Sequence, residues 1–197
     1  MAMQSSQMGA WEHDIATETV RWSEELEEIF GLEKGSFSGT RSAFYELIHE
    51  DDRAGVWAEV GAAIGEKREY SIEFRFYHAD GTIRWMEGRG QAVYSQKGEA
   101  VRVYGIGIDI TERRKAEENL RESEERFAKA FNSSPLVVTI TELKSGKLIE
   151  VNETFVSVTG YTREETIGRT TDELNLWLEA DDRKRELATV KKEGKLR

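Results

Sequence analysis

The sequence predicts an α+β fold that occurs twice in the chain, the second time as an incomplete copy. Two observations predict the fold class: residues 24–64 have the apolar spacing of short helices, and residues 70–110 change to the alternation of strands. A third observation predicts the duplication, because the pattern of residues 23–53 returns about 129 residues later. A duplicated small domain also suits the length, since 197 residues allow one large domain or two small ones.

The first copy opens with two strands and a short helix. We expect strands at 9–14 and 19–22, on either side of a polar stretch that can turn. Ser23 can accept an amide hydrogen bond as the N-cap of the helix, and Gly31 is suited to end it. Helical spacing predicts two more helices, at about 42–48 and 51–64.

Three strands complete the first copy, at 70–77, 82–94 and 100–110. Alternation in the first of them predicts a largely aromatic core face, made of Tyr70, Ile72, Phe74 and Phe76. The Asp80-Gly81 pair tolerates positive φ and predicts a hairpin into the second strand. Four glycines in the last two strands blur the alternation, so their buried face stays open and bulges are one interpretation: Gly88, Gly90, Gly105 and Gly107.

A charged segment at 112–131 contains neither glycine nor proline and predicts a connector helix. Acid-before-base pairs four residues apart support this helix, each by about 0.3 kcal/mol. When a heptad register is laid on the segment, Leu120 and Phe127 are the only large apolar residues of its core columns. The seam, which is the coiled-coil contact that these core columns would make with a second helix, is therefore weak by itself.

The duplication is visible in two separate segments. The cap, acid, apolar spacing and glycine end of residues 23–31 return at 152–160, an offset of 129 residues. Residues 48–53 match residues 178–183 at an offset of 130. The second copy should therefore contain strands at 137–143 and 147–151 followed by helices, while the counterpart of the aromatic strand would fall beyond Arg197.

Several motifs resemble those of PAS domains, at 22–31, 48–53, 74–85 and 107–114. The last, Gly-Ile-Asp-Ile-Thr-Glu-Arg-Arg, is similar to the signature with which this family leaves its final strand and enters a signalling helix. The resemblance implies a five-stranded antiparallel sheet with helices on one face and a small cavity. It also implies a parallel homodimer through the connector helix, with Leu120 and Phe127 on the dimer side.

On this interpretation the chain contains one and a half sensory domains. We expect a complete PAS domain at 8–111, a signalling connector helix at 112–131 and the N-terminal part of a second PAS domain at 132–197, without its last three strands. The truncated copy would expose surface that the missing strands cover in a complete domain. It should be loosely ordered or paired with another chain, unless the native protein continues past Arg197.

The resemblance also suggests which residues line the cavity of the first domain. Ten apolar side chains are candidates: Trp11, Trp22, Ile29, Phe30, Trp57, Val60, Ile72, Phe74, Phe76 and Trp85. Three interpretations stay open, namely a filled core or empty cavity, an unidentified small metabolite, and a flavin held without a covalent bond. The sequence does not select among them.

The residue types in the chain argue against other cofactors. The chain contains no cysteine, which excludes the flavin photoadduct that part of the family forms through a cysteine. Haem-binding relatives use a histidine on the long helix, whereas His13, His49 and His78 fall on strand, loop and turn positions, so haem is not expected. We interpret His49 as a structural residue near Asp51 and His78 as a solvated hairpin residue. No metal site is predicted.

No catalytic residue is predicted, because no Walker loop, zinc spacing, cyclase signature or phosphoacceptor helix is visible. The net charge of −10 opposes nucleic-acid binding. No apolar run is long enough to cross a bilayer, so we expect no direct membrane insertion and a cytoplasmic location, with tethering of a parent chain left open.

Asp109, Ile110 and Thr111 are the residues expected to carry the output signal. Thr111 can cap the connector helix, and Asp109 can bond nearby backbone or pair with a basic residue. A plain helix cap without switching is the alternative.

The predicted function is a sensory module that detects a small ligand, redox state or partner and acts on a kinase or cyclase domain absent from this chain. The alternative is a ligand-free dimerisation or interaction scaffold.

Overall fold

The computed structural model describes residues 8–176, which divide into two compact units with the boundary between Asn119 and Leu120. The elements that begin in the first unit are β1 (Met8–Asp14), β2 (Thr19–Trp22), α1 (Glu24–Phe30), α2 (Arg41–Leu47), α3 (Glu50–Glu66), β3 (Tyr70–Tyr77), β4 (Ile83–Tyr94), β5 (Ala100–Asp109) and α4 (Thr111–Ser133). The second unit adds β6 (Thr139–Thr141), β7 (Leu148–Val151), α5 (Glu153–Thr159) and α6 (Arg163–Thr166). Within residues 8–176, no helix is long and apolar enough to cross a membrane.

The first unit is built on a five-stranded antiparallel sheet with the order β2-β1-β5-β4-β3, which confirms the predicted fold class. Phe74 and Phe76 point to the inner face of this sheet and are buried, as the alternation predicts. The core lies between that face and the helices α1 and α3, which contribute Leu26, Phe30 and Val56. Burial of these side chains is the main stabilising contribution, at about 25 cal/mol per Å² of apolar surface.

The strand glycines allow close packing and do not mark bulges. The pairing of β4 with β5 runs without interruption from Met86 to Val93, and its one register shift lies between Val93 and Tyr94. A Cβ on Gly107 would lie 2.9 Å from the sulfur of Met86 and 3.0 Å from a methyl group of Leu26. The missing side chains therefore let core groups pack directly onto the sheet.

The helix caps confirm the internal repeat. Ser23 accepts a hydrogen bond from the amide of Leu26, and α1 ends at Gly31 with a φ of 74°. Asn152 does the same for α5, which ends at Gly160 with a φ of 79°. The first strand of the second copy is shorter than predicted, since β6 covers only three residues. The repeat segment at 178–183 lies outside the described residues.

The second unit has its own small core. Leu148, Val151, Phe155 and Leu174 are buried together. Asn152, in the middle of this cluster, is fully buried as well and makes four hydrogen bonds. The unit is thus organised around a buried polar side chain as well as apolar contacts.

Candidate functional site

A cavity of about 270 Å³ lies in the first unit, between the inner face of the sheet and the helices α2 and α3. Seven of the ten candidate residues line it: Trp11, Trp22, Phe30, Trp57, Val60, Ile72 and Phe74. They come from five elements, so the cavity forms only when the domain is folded. The resemblance to PAS domains had suggested these residues as the cavity lining.

Aromatic contacts hold one wall of the cavity. The Trp22 ring is stacked between Phe37, at a centroid distance of 3.7 Å, and Phe30, at 4.6 Å. Phe44 of α2 meets the edges of the Trp57 and Trp22 rings at 6.3 and 6.0 Å. Such stacked and edge-to-face pairs are favourable beyond the area they bury. This wall is therefore a packed, apolar aromatic surface.

Three of the predicted cavity residues lie elsewhere. Phe76 is fully buried in the core, 4.5 Å from the Phe30 ring centroid. Ile29 faces a separate groove that Asp109 and Thr111 also line. Trp85 lies on the outer face of the sheet, because its neighbour Met86 points inward and strand side chains alternate. For these three residues the cavity prediction was wrong.

Two polar lining residues were not recognised from the sequence as part of the cavity. His13 of β1 has a buried Nε2 atom with no hydrogen-bond partner among the described residues. Arg41, at the start of α2, holds its guanidinium 4.3 Å from the centroid of the Trp57 ring. Burial lowers the pKa of His13, and the charge of Arg41 lowers it further. His13 is therefore mostly neutral at pH 7.

The other two histidines have structural contacts. His49 Nδ1 accepts a hydrogen bond from the amide of Asp51, as predicted, and thereby caps α3. The His78 side chain is only 12% exposed and lies against Gly31, so its interpretation as a solvated residue was wrong. A side chain at Gly31 would collide with the His78 ring.

The junction between β5 and α4 is tied to β4 by the Thr111 side chain. Its Oγ1 accepts a hydrogen bond from the amide of Trp85 at 2.9 Å, and Thr111 is buried. The amide of Ile110 donates to the carbonyl of Trp85 at 3.0 Å. Thr111 therefore extends the strand ladder into the helix, and the expectation that it caps α4 was wrong.

Asp109 supplies the cap instead. Its Oδ1 accepts a hydrogen bond from the amide of Thr111 at 2.9 Å, and its Oδ2 lies 3.8 Å from the guanidinium of Arg84. Both kinds of partner were predicted for this carboxylate. A negative charge at the N-terminus of a helix is also favoured by the helix dipole.

The first turn of α4 is also bound to the outer face of the sheet. Glu73 of β3 forms ion pairs with Arg113, at 3.0 Å, and with Arg114. The Arg114 guanidinium lies 4.2 Å from the centroid of the Trp85 ring. Trp85 is thus part of the helix attachment, because its backbone binds Thr111 while its ring contacts Arg114.

Two family models match the chain. One, described as the PAS fold, matches residues 19–107, and another, described as a PAS domain, matches residues 125–191. The first corresponds to the unit that contains the cavity. The second begins within α4, in the second unit, and extends past the described residues.

Several curated relatives are named as signalling proteins. A probable diguanylate cyclase of Escherichia coli is 23% identical over 85% of this chain, and a two-component sensor of Pseudomonas aeruginosa is 27% identical over 82%. The chain spans about 15% of the length of the former and 17% of the latter.

A solved structure agrees with both the sequence and the fold. A sensory box histidine kinase/response regulator from Burkholderia thailandensis is 31% identical, with a TM-score of 0.55 over 65% of this chain and 95% of that one. Together with the five-stranded sheet, the internal cavity and the strand-to-helix junction, these matches assign both copies to one family. The chain belongs to the PAS domain family and carries two consecutive PAS regions of a sensor.

Proposed function

We propose that the first PAS domain senses a small molecule in its cavity and transmits its occupancy to α4 through Asp109, Ile110 and Thr111. The observation that carries this proposal is the buried Nε2 atom of His13, which faces the cavity without a partner among residues 8–176. A buried polar atom without a hydrogen bond costs about 1–3 kcal/mol, and a ligand that bonds to it removes that cost. A filled apolar core would not explain why a buried nitrogen is left without a hydrogen-bond partner.

The helix α1 supports a route from the cavity to the junction. Its residues Leu26 and Phe30 line the cavity. Ile29, between them on the same helix, lines the groove that Asp109 and Thr111 share. A ligand that displaces α1 by a small amount therefore acts on both places. Packed interfaces change between discrete arrangements, and such a displacement is the proposed input to the junction.

The output is proposed to be a kinase or cyclase domain in a longer cytoplasmic protein. The names of the relatives support this, since they include a diguanylate cyclase and a sensor histidine kinase. On this proposal the connector at 112–131 links a sensory domain at 8–111 to a second PAS domain that starts at 132. Both ends of the connector helix are hydrogen-bonded, by Thr111 to Trp85 and by Asn152 to the carbonyl of Phe131.

Replacing Gly61 by leucine is expected to close the cavity. Gly61 lines the cavity, and a Cβ built there meets no atom within 4 Å, so the new side chain enters free space. Hydrogen exchange of the Trp85, Ile110 and Thr111 amides should change several-fold, because the filled cavity acts on α1.

Gly55→Leu is the matched control for this variant. Gly55 lies on the same helix, also has open space around it and does not line the cavity. Both variants gain helix propensity, about 1 kcal/mol for replacing a glycine. Equal exchange at the junction in Gly61→Leu and Gly55→Leu would contradict the proposed coupling.

Replacing Thr111 by valine should weaken the junction while keeping its shape. The buried amide of Trp85 loses its acceptor, which costs about 1–3 kcal/mol. We expect the Trp85 amide to exchange at least about tenfold faster, as 1.4 kcal/mol corresponds to a factor of ten. Thr111→Ser keeps the hydroxyl and should exchange nearly as slowly as the wild type. If valine and serine behave alike, the hydroxyl does not hold the junction.

The connector helix is proposed to form a parallel homodimer. Leu120 and Phe127 lie one heptad apart on α4 and are 61% and 49% exposed, so they are available to a second copy. Sedimentation of the chain at tens of micromolar should give a dimer. Leu120→Glu with Phe127→Glu should give a monomer, whereas Ala128→Glu, off the seam, should not. A monomeric wild type would contradict this proposal.

A second candidate function is a ligand-free interaction scaffold, which the exposed apolar side chains of Leu120 and Phe127 favour if the cavity stays empty. A non-covalently bound flavin is the third interpretation carried over from the sequence. A flavin nucleotide is much larger than a cavity of about 270 Å³, so the volume favours a smaller ligand. Absorption and native mass spectra of the freshly purified protein separate these cases, by visible absorption for flavin and by added mass for a metabolite.

A further inference from the structure

The cavity has few polar side chains, and none of the residues that line it is a carboxylate. Apart from the indole N–H groups of its tryptophans, the polar side chains of the lining are His13, Arg41 and Tyr70. Burial raises the pKa of the Tyr70 phenol, so this group carries no charge. His13 and Arg41 are therefore the cavity groups that can recognise a charge, and neither is a carboxylate.

Arg41 has no carboxylate partner within residues 8–176. Its contact in that part of the chain is the Trp57 ring, 4.3 Å from the guanidinium carbon. Arg41 is also close enough to lower the pKa of His13 through its charge. Arg41, which is exposed, and His13, whose Nε2 atom has no partner among the described residues, thus line one cavity, and an anion bound between them would pair with both.

The remaining lining defines the shape of the ligand. A cavity of about 270 Å³ is slightly smaller than the usual ligand pocket of about 300–1,000 Å³, so it favours a small ligand. One six-membered ring with a single acidic substituent is a ligand of this kind. Trp22, Phe44 and Trp57 form the wall against which such a ring would pack.

We propose that the cavity binds a small aromatic carboxylic acid, whose carboxylate accepts hydrogen bonds from His13 and Arg41 and whose ring packs on the aromatic wall. This inference rests on the proposed function, because it names the chemical class of ligand for the same cavity. The two oxygens of one carboxylate can accept hydrogen bonds from one guanidinium and one imidazole. A doubly charged phosphate needs more donors than these two residues supply.

Ligand binding should be coupled to proton uptake. The free protein holds His13 mostly neutral at pH 7, since burial and Arg41 lower its pKa, against weaker opposing effects of Glu18 and Asp14. A carboxylate beside the imidazole favours the protonated form and raises that pKa. Affinity for the acid should therefore increase as the pH falls from about 8 to about 6.

Calorimetric titration of the whole chain with matched probes tests the proposal. The probes are benzoate and phenylacetate, each compared with its amide, which has the same shape without the charge. Each acid should bind more tightly than its amide and take up protons at pH 7, measured in buffers of different ionisation enthalpy. The proposal fails if no acid binds more tightly than its amide, including the case in which none of the four binds.

Two variants connect binding to the named residues. Arg41→Gln should weaken benzoate binding by about tenfold or more and leave benzamide within twofold. His13→Phe keeps a ring in place and should abolish the proton uptake. Arg21→Gln removes a positive charge from the other face of the same sheet and should have neither effect. Equal losses in Arg41→Gln and Arg21→Gln would show a general charge effect and overturn the proposal.

The failure of this inference is distinguishable from that of the proposed function. Hydrogen exchange in Gly61→Leu reports whether a filled cavity acts on the junction, and it requires no ligand. A response at the junction without a preference for acids would support the proposed sensor function and contradict only the carboxylate as its ligand. Preference for acids without a response at the junction would support the carboxylate ligand and contradict the coupling between the cavity and the junction.

Discussion

Asn152→Leu is expected to unfold the second PAS region. The Asn152 side chain is fully buried and accepts hydrogen bonds from the amides of Val138 and Phe155, both at 3.0 Å. It also donates to the carbonyls of Phe131 and Leu136, at 3.1 and 2.8 Å. Leucine fills a similar volume but leaves these partners without a bond. The partner groups of Phe131 and Phe155 are the fully buried ones. At about 1–3 kcal/mol for each of these two, we expect a loss of about 2–6 kcal/mol.

Hydrogen exchange across 136–176 would measure this loss within the whole chain. Asn152→Asp keeps both acceptor bonds but turns a buried carboxylate oxygen toward the carbonyls of Phe131 and Leu136, so it should also be strongly destabilised. Thr162→Ala removes the exposed cap of α6 and should cost about 1 kcal/mol. A leucine variant no less protected than Thr162→Ala would contradict the role given to Asn152.

Gly105→Ala is expected to destabilise the first domain by about 3 kcal/mol or more. A Cβ on Gly105 would lie 2.8 Å from both the Cα of Gly90 and the ring of Trp11, and closer still to the carbonyl oxygen of Arg89. Two of these three atoms belong to the backbone of the neighbouring strand β4, which cannot move aside without breaking the ladder. Overpacking of a core usually costs 1–3 kcal/mol, and a backbone collision belongs at the upper end of that range.

Urea unfolding followed by tryptophan fluorescence would measure the effect, because Trp11, Trp22 and Trp57 all lie around the cavity. Gly55→Ala is the control, since a Cβ there meets nothing within 4 Å and the residue is inside a helix. That variant should be neutral or stabilising by up to about 1 kcal/mol. A Gly105→Ala protein within about 1 kcal/mol of the wild type would mean that β4 and β5 can separate locally.

Local patterns predicted most of the fold. The cap at Ser23, the left-handed end at Gly31 and the aromatic face of β3 each depend on residues a few positions apart, so they can be read from the chain itself. The repeat was visible for the same reason, because Asn152 and Gly160 stand in the same local order. The family resemblance suggested ten cavity residues, and seven of them line the cavity.

The same alternation could have excluded Trp85 from the cavity. Met86 and Trp85 are adjacent in β4, so only one of them can face the core. The glycines of β4 and β5 hid this, because they interrupt the row of apolar side chains on the inner face of the two strands. The structure resolves the ambiguity through the pairing of β4 with β3, in which Phe74 lies opposite Met86 and Arg75 opposite Trp85.

The amino-acid sequence by itself determined the family, the strands and helices, the repeat and the residues of the strand-to-helix junction. Only the tertiary structure decided that His13 and Arg41 face one cavity and that Thr111 binds β4 while Asp109 caps α4. The physical reason is the range of the interactions. Caps and alternation act between neighbours in the chain, whereas a cavity and an unpartnered buried nitrogen arise only when distant elements pack together.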